Sequence, residues 1–209
     1  MSFFYDWGGL NTQLFYLING IQGEAFRQFM QLGTMLGKFT LFPVYFAIIA
    51  GIGFYDVSRN TLAPIRRKQW THAIIVLIAA YLFSLLWVYL LKTWLHFPRP
   101  FVALPEGTVH ILDYIRASEE PMVSFPSGHS VFTTLMVASL WPMLNKTAKI
   151  IGIAFVLWVG VSRIALGVHF PADVVYSMAL SFTAVCIVKL VINRIYPQLA
   201  TTVTQARRR

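Results

Sequence analysis

Long apolar runs separated by short basic segments constrain this chain more than any other feature of its sequence. A helix needs about 20 mostly apolar residues to cross the hydrocarbon core of a bilayer, with a working range of roughly 17–25. Stretches that meet or approach this length are Thr40–Tyr55, Ala73–Leu91, Ser127–Asn145, Ile150–Leu166 and Ala172–Ile192. The sequence therefore predicts an all-α, polytopic membrane helical bundle with five transmembrane helices, built as one membrane-embedded domain over residues 1–209.

The composition agrees with a membrane protein and argues against a nucleic-acid-binding one. Hydrophobic residues make up 57% of the chain and charged residues 12%, whereas soluble domains carry about 25% charged residues. The net charge is +9, but the basic residues lie between apolar runs and not across a polar surface. The predicted partner is therefore the bilayer, with no nucleic acid, and the sequence makes no prediction of oligomeric state.

The distribution of Lys and Arg predicts the orientation. If the N-terminus is outside and five spans alternate, the inner segments are Val57–His72, Lys146–Lys149 and the tail from Lys189. These segments hold Arg59, Arg66, Arg67, Lys68, Lys146, Lys149, Lys189, Arg194, Arg207, Arg208 and Arg209, which are 11 of the 17 basic residues. An excess of Lys and Arg marks the cytoplasmic side. The long connection Thr93–Pro126 is therefore predicted to lie outside.

Residues Leu10–Gly37 are open to two interpretations. Their apolar positions recur at helical spacing, and Gly20 and Gly23 predict a break between two short helices. Neither helix is long enough to cross alone, so two amphipathic helices at the outer interface are the first interpretation. The alternative is one tilted or broken span, which would make six transmembrane helices.

Ionisable residues near membrane depth are costly and therefore predict function, and here they form three motifs at the outer ends of spans. The first motif runs from Lys92 to Arg99-Pro100. The two cations are about two helical turns apart, so both can face one point. Arg offers a planar fork to a phosphate and Lys a compact charge. An ordinary pair of cations at a helix end is the alternative.

The second motif is Pro126-Ser127-Gly128-His129, where the third apolar run begins. Free backbone N–H groups in a first helical turn bind anions. Gly128 allows close approach to the backbone, Ser127 adds a hydroxyl donor, and His129 can supply a proton to a leaving group. A structural histidine at a helix start is the alternative.

The third motif runs from Ser162-Arg163 through His169 to Asp173. If Pro171 opens the last helix, Asp173 lies in its first turn and can reach back to His169. A carboxylate in that position fixes the tautomer of the imidazole and raises the basicity of its other nitrogen. Arg163 adds a third cation for phosphate. The alternative is a helix cap at Asp173 beside an incidental histidine.

Taken together, the motifs resemble those of the type 2 phosphatidic acid phosphatase family, whose signatures are K-x6-R-P, P-S-G-H and S-R-x5-H-x3-D. All three are complete and in order between Lys92 and Asp173. The resemblance implies that His169 attacks phosphorus and forms a phosphohistidine, that Asp173 orients His169 and that His129 protonates the leaving group. It implies that Lys92, Arg99, Ser127, Gly128 and Arg163 hold the phosphoryl oxygens, and that neither a metal nor another cofactor takes part.

The resemblance also implies a substrate and a location. The expected activity is hydrolysis of a lipid phosphate or diphosphate, first of all undecaprenyl diphosphate, at the outer face of a bacterial cytoplasmic membrane. Phosphatidylglycerophosphate and lipid A phosphatases share the motifs and are alternatives. A lipid phosphotransferase that uses the same histidine is another, and a non-enzymatic lipid transporter or anion-binding protein is the alternative from a different class.

Overall fold

The computed structural model describes residues 3–59 and 63–198, and within these ranges it contains helices and turns but no strand. The basic residues Arg207–Arg209, on which part of the orientation argument rests, lie outside the described residues. In chain order the α-helices are α1 (Phe3–Asp6), α2 (Leu10–Asn19), α3 (Glu24–Leu36), α4 (Phe42–Arg59), α5 (Ala63–Trp94), α6 (Pro100–Ala103), α7 (Asp113–Ser118), α8 (Gly128–Leu140), α9 (Lys146–Ala165) and α10 (Pro171–Ile195). The predicted all-α bundle is confirmed.

Four helices of the described part are long and apolar enough to cross a membrane: α4 with the 3₁₀ turn before it, α5, α9 and α10. They correspond to four of the five predicted spans. Large apolar side chains point away from the bundle on each of them, among them Phe54, Leu86, Ile151 and Leu190. Such surfaces are stable when lipid covers them.

The third predicted span is shorter than the sequence indicated. Helix α8 ends at Leu140 instead of Asn145 and has 13 residues, which corresponds to about 20 Å at 1.5 Å per residue. Pro142 cannot donate to a helix ladder, and the side chain of Asn145 caps α9 by accepting from the amide of Ala148 at 2.8 Å. The end of this apolar run therefore forms the last residues of α8, a turn, and the N-cap of α9.

Helix α8 can be short because it lies in the middle of the bundle. It packs against α5, α9 and α10, and nine of its 13 residues are buried. Phe132 and Leu135 contribute to a core with Val76 and Leu77 of α5 and Val185 of α10. The long helices around it supply the lipid-facing surface.

The N-terminal helices have the predicted break, and they also pack on the bundle. Helices α2 and α3 are separated at Gly20–Gly23, and α2 contacts α9 and α10 while α3 contacts α9. The buried Asn19 donates to the carbonyls of His110 at 2.8 Å and Ala165 at 2.9 Å. Neither helix reaches the length of a span, and their interfacial position stays a prediction.

The two ends of the helical bundle bring together different parts of the chain. The C-terminal ends of α5 and α9 and the N-terminal ends of α8 and α10 meet at one end, here called the site end. At the opposite end Arg66 contacts Asp56 at 2.6 Å and His72 contacts Asn193 at 2.8 Å. His72 is therefore remote from the three motifs.

Candidate active site

A cavity of about 600 Å³ opens at the site end. It is lined by Lys38, Phe39, Thr40, Tyr81, Leu85, Val88, Tyr89, Lys92, Arg99, Glu119, Gly128, His129, Arg163 and His169. Six of the eight residues that the sequence predicts for the site line this one cavity. The other two, Ser127 and Asp173, are fully buried.

The loop between α9 and α10 presents His169 to the cavity. Gly167 adopts a positive φ of 77°, and a Cβ there would lie 2.8 Å from the carbonyl oxygen of His110, so the tight turn requires glycine. The carbonyl of Arg163 then accepts from the amides of Val168 and His169, each at 3.2 Å. Pro171 opens α10 directly afterwards, as the sequence predicts.

Asp173 lies beneath His169 in the first turn of α10, and its carboxylate is surrounded by donors. Tyr5 donates to Oδ1 at 2.6 Å, and Ser124 and the amide of Phe170 donate to Oδ2 at 2.6 and 2.9 Å. Nδ1 of His169 is 3.5 Å from Oδ2. The carboxylate is thus positioned beside the imidazole and held in place by three other groups.

The two ring nitrogens of His169 face different surroundings. Nδ1 faces Asp173, while Nε2 lies 3.4 Å from Nη1 of Arg99 on the cavity side. Burial, together with the nearby guanidiniums of Arg99 and Arg163, holds the pKa of His169 well below its ordinary value. The lowered pKa favours the neutral imidazole near pH 7, in which one ring nitrogen carries a lone pair.

The second motif forms the N-terminus of α8. The amide of Ser127 donates to the hydroxyl of Ser177 at 2.8 Å, and the hydroxyl of Ser127 accepts from Ser130 at 3.1 Å. Gly128 lines the cavity, and a Cβ there would meet no atom within 4 Å. His129 follows on the cavity wall, and its Nε2 is buried with no hydrogen-bond partner among the described residues.

The two arginines are buried and fixed by main-chain and side-chain contacts. Arg99 donates from Nη1 to the carbonyl of Val168 and from Nε to the carbonyl of Glu120, both at 2.8 Å. Arg163 donates from Nη1 to Thr34 at 3.4 Å. Lys92, near the end of α5, lines the same cavity. Three cations thus converge where His169 exposes Nε2.

Sequence reasoning missed a carboxylate in the middle of this cluster. Glu119 forms ion pairs with Arg99, at 2.5 Å, and with Arg163. Burial opposes ionisation of Glu119, but the guanidiniums of Arg163 and Arg99 outweigh it and hold its pKa below the ordinary value. The sequence shows Glu119 as one of several acids in a long loop and gives no signal that it turns inward.

The end of α3 also contributes a wall that the motifs did not predict. Thr34 contacts Arg163. Gly37 packs against the ring of His129, because a Cβ on Gly37 would lie 3.4 Å from Cδ2 of His129 and 2.5 Å from Cγ1 of Val159. Lys38 follows and lines the cavity as a fourth cation. The N-terminal helices are therefore part of the site.

The remaining histidines and the acids do not suggest a metal centre. His96 and His110 are absent from the cavity lining. Within residues 3–59 and 63–198, no group of three or more His, Cys, Asp or Glu side chains is arranged to hold a metal ion. The metal-free mechanism stays a prediction.

Comparison with known families and proteins gives consistent matches. A family model described as the PAP2 superfamily matches residues 70–197.

Phosphatidylglycerophosphatase B of Bacillus subtilis (strain 168) is 31% identical over 161 residues, which are 71% of this chain and 66% of that protein. Phosphatidylglycerophosphatase B of Escherichia coli (strain K12) is 32% identical over 92 residues, 41% of this chain and 36% of that protein. Lipid A 1-phosphatase of Rhizobium etli is 36% identical over 56 residues, 27% of this chain and 24% of that protein. The matched region thus spans just under two thirds of the Bacillus relative and a smaller part of the other two.

Two crystal structures share the fold. A transmembrane PAP2-type phosphatidylglycerolphosphate phosphatase from Bacillus subtilis superposes with a TM-score of 0.68 at 23% identity, covering 90% of this chain and 87% of that one. LpxE of Aquifex aeolicus superposes with a TM-score of 0.65 at 23% identity, covering 86% and 94%. The helical arrangement is therefore that of known membrane proteins.

The contacts of Asp173 lead to a prediction about stability. Tyr5→Phe removes the donor to Oδ1 and leaves a buried carboxylate oxygen unsatisfied, which should cost about 1–3 kcal/mol. Thermal unfolding of the detergent-solubilised protein measures the effect. Tyr16→Phe is the matched control, because Tyr16 is exposed and its hydroxyl contacts Thr108 at 3.2 Å, where water can replace it. Equal melting temperatures for the two variants would contradict the importance of the Tyr5 contact.

Proposed function

The chain belongs to the PAP2 superfamily, and we propose that it removes a terminal phosphate from a membrane lipid through a phosphohistidine at His169. One observation carries this proposal: the neutral imidazole of His169 exposes Nε2 to a cavity in which Lys92, Arg99 and Arg163 converge. A nucleophile of this kind needs an oriented ring and cations for the charge that develops on the phosphoryl oxygens.

The reaction follows from the placement of the two histidines. The negative charge of the bound phosphate favours the protonated form of His129. Nε2 of His169 donates its lone pair to phosphorus as the bond from phosphorus to the bridging oxygen breaks, and protonated His129 gives that oxygen its proton. Water then attacks the phosphohistidine and loses a proton to His129, which releases inorganic phosphate and restores both rings. Asp173, 3.5 Å from Nδ1, stabilises the positive charge that His169 carries in the intermediate.

The other predicted residues act on the phosphoryl oxygens. Arg99, Arg163 and Lys92 neutralise the oxygens, and the first amides of α8 at Gly128 face the same space. Ser127 supports this helix end, because its amide donates to the hydroxyl of Ser177 at 2.8 Å and its hydroxyl accepts from Ser130.

The shape of the cavity favours a lipid over a soluble phosphate ester. One wall runs along α5 through Tyr81, Leu85, Val88 and Tyr89, and α5 is one of the helices long enough to span a membrane. Leu85 and Tyr89 are exposed, so the wall is continuous with the lipid-facing surface. A phosphate among the cations would therefore extend its alkyl chains along α5.

Undecaprenyl diphosphate is the substrate that we propose first, because Lys38 adds positive charge beyond what one phosphate needs. The tight packing of Gly37 against His129 fixes the backbone beside Lys38. A terminal phosphate on Lys92, Arg99 and Arg163 would leave Lys38 for the second phosphate. Phosphatidylglycerophosphate is the second candidate, favoured by the names of the relatives from Bacillus subtilis and Escherichia coli.

The charge distribution supports a site at the outer face of a bacterial cytoplasmic membrane. Arg66, Arg67 and Lys68 lie in the first turns of α5, Lys146 begins α9, and Arg194 lies in the last turn of α10. All of these lie at the end of the bundle opposite the site. Because Lys and Arg are retained on the cytoplasmic side, the site faces outward.

We predict that His169→Ala abolishes release of inorganic phosphate from detergent-solubilised protein, by at least about a thousandfold, because the nucleophile is lost. Phosphate release from a panel of lipid diphosphates and monophosphates, with excess chelator, is the measurement. His110→Ala, outside the cavity lining, is the control. Unchanged hydrolysis in His169→Ala would refute the assignment, and a phosphorylated lipid product without free phosphate would identify a phosphotransferase.

The role proposed for Lys38 predicts a change in substrate preference. Lys38→Met should lower kcat/KM for a lipid diphosphate about tenfold more than for the corresponding monophosphate, since a tenfold loss corresponds to about 1.4 kcal/mol of binding. Lys146→Met, at the opposite end of the bundle, should affect neither substrate. An equal decrease for both substrates would show that Lys38 does not distinguish them.

The orientation predicts the accessibility of single cysteines introduced into a Cys186→Ser background. In right-side-out membrane vesicles, a membrane-impermeant maleimide should label Glu106→Cys directly, because residue 106 lies in the exposed loop at the site end. Lys68→Cys should be labelled only after permeabilisation. The reverse pattern would place the site in the cytoplasm.

A further inference from the structure

A carboxylate pairs with both arginines of the candidate active site. Oε2 of Glu119 lies 2.5 Å from Nη2 of Arg99, and Oε1 pairs with Nη2 of Arg163. Glu119 lines the same cavity as His169. These two arginines are the ones that the proposed mechanism assigns to the phosphoryl oxygens.

The remaining contacts of the arginines show which atoms a ligand can use. Arg99 keeps Nε and Nη1 on the carbonyls of Glu120 and Val168, and Arg163 keeps Nη1 near Thr34. The Nη2 atoms are the ones that Glu119 binds. If the carboxylate leaves, Arg99 keeps both of its main-chain contacts, and Nη2 of each arginine becomes free to donate to a ligand.

The carboxylate can leave without a rearrangement of the loop. The backbone after Glu119 is anchored by Arg99, whose Nε donates to the carbonyl of Glu120 and whose amide donates to the carbonyl of Pro121 at 2.9 Å. Rotation of the Glu119 side chain therefore suffices. The side chain of Glu119 is 19% exposed, whereas the side chains of Arg99 and Arg163 are each 3% exposed, so Glu119 is the member of the cluster that can turn toward water.

We propose that Glu119 is a resident counter-anion that selects terminal phosphate groups over the phosphodiester headgroups of the surrounding lipids. The inference rests on the proposed function, since it concerns the same cavity. A phosphodiester carries one negative charge, as does the carboxylate, so its exchange for Glu119 gains no charge. A terminal phosphate carries about −1.5 to −2 and has three free oxygens, so it displaces Glu119 with a net gain.

A membrane enzyme needs this kind of selection because phosphodiester lipids surround it at high concentration. Two buried guanidiniums without a counter-charge are costly and would attract any anionic headgroup. Glu119 compensates their charge between turnovers. The cost is a weaker apparent affinity for the substrate, which must displace the carboxylate each time.

The test compares Glu119→Gln with Glu106→Gln, the same chemical change at an exposed position of the loop at the site end. Both full-length variants are assayed in mixed micelles with a lipid monophosphate as substrate and increasing phosphatidylglycerol as the phosphodiester. In Glu119→Gln, KM for the monophosphate and the inhibition constant of inorganic phosphate should each fall about tenfold. Phosphatidylglycerol should become a competitive inhibitor of this variant while having little effect on the wild type and on Glu106→Gln.

A second measurement does not depend on activity. Loss of the carboxylate should lower the melting temperature of Glu119→Gln, and inorganic phosphate should raise it by more than it raises that of the wild type, because a ligand that binds the folded state stabilises it. A higher KM, weaker phosphate inhibition or a lower kcat at unchanged KM in Glu119→Gln would overturn the proposal. So would equal inhibition of all three proteins by phosphatidylglycerol. If the wild type hydrolyses no lipid, the proposed function fails, and the thermal measurement still decides whether Glu119 competes with phosphate.

Discussion

The carboxylate of Asp173 is the group on which the assembly of the site depends. It has no exposed surface, and a buried carboxylate is tolerated only when donors surround it. Its donors come from the N-terminal segment through Tyr5, from the loop before α8 through Ser124, and from the start of α10 through the amide of Phe170. Segments far apart in sequence therefore supply the donors that hold the Asp173 carboxylate in position beside His169.

A second constraint is the balance of charge around the cavity. Lys38, Lys92, Arg99 and Arg163 line a space bounded on one side by apolar residues of α5, and Glu119 is the acidic residue of the described lining. The carboxylate of Glu119 compensates part of the charge of the buried arginines, and the cavity keeps a net positive charge that suits the proposed phosphate substrate. Burial and two of these cations, Arg99 and Arg163, also hold the pKa of His169 low, so the same arrangement suits both the proposed anionic substrate and the proposed nucleophile.

The sequence predicted the parts of this arrangement that leave a local pattern in the chain, namely apolar runs and short motifs. Long apolar runs predicted the all-α bundle, and the spacing of the motifs at the ends of these runs brought Lys92, Arg99, His129, Arg163 and His169 to one cavity. The break at Gly20–Gly23 was also predicted. The length of α8, the third predicted span, was not predicted, because Asn145 caps α9 instead of extending α8.

Contacts between distant parts of the chain could not be predicted from spacing. Tyr5 and Asp173 are 168 positions apart, Thr34 and Arg163 are 129 apart, and neither pair leaves a periodic signal. Glu119 looks in the sequence like any other acid of a long loop. These are the residues that place the N-terminal helices and the loop at the centre of the chemistry.

The most direct test of the central claim is detection of the phosphorylated enzyme. The wild-type protein is mixed with a lipid phosphate, quenched at alkaline pH to preserve phosphohistidine, digested and mapped by mass spectrometry. The proposed chemistry predicts a phosphoryl group on His169 and none on His129, in an amount that decreases as phosphate is released. Phosphorylation of His129, or turnover without any phosphorylated histidine, would contradict it.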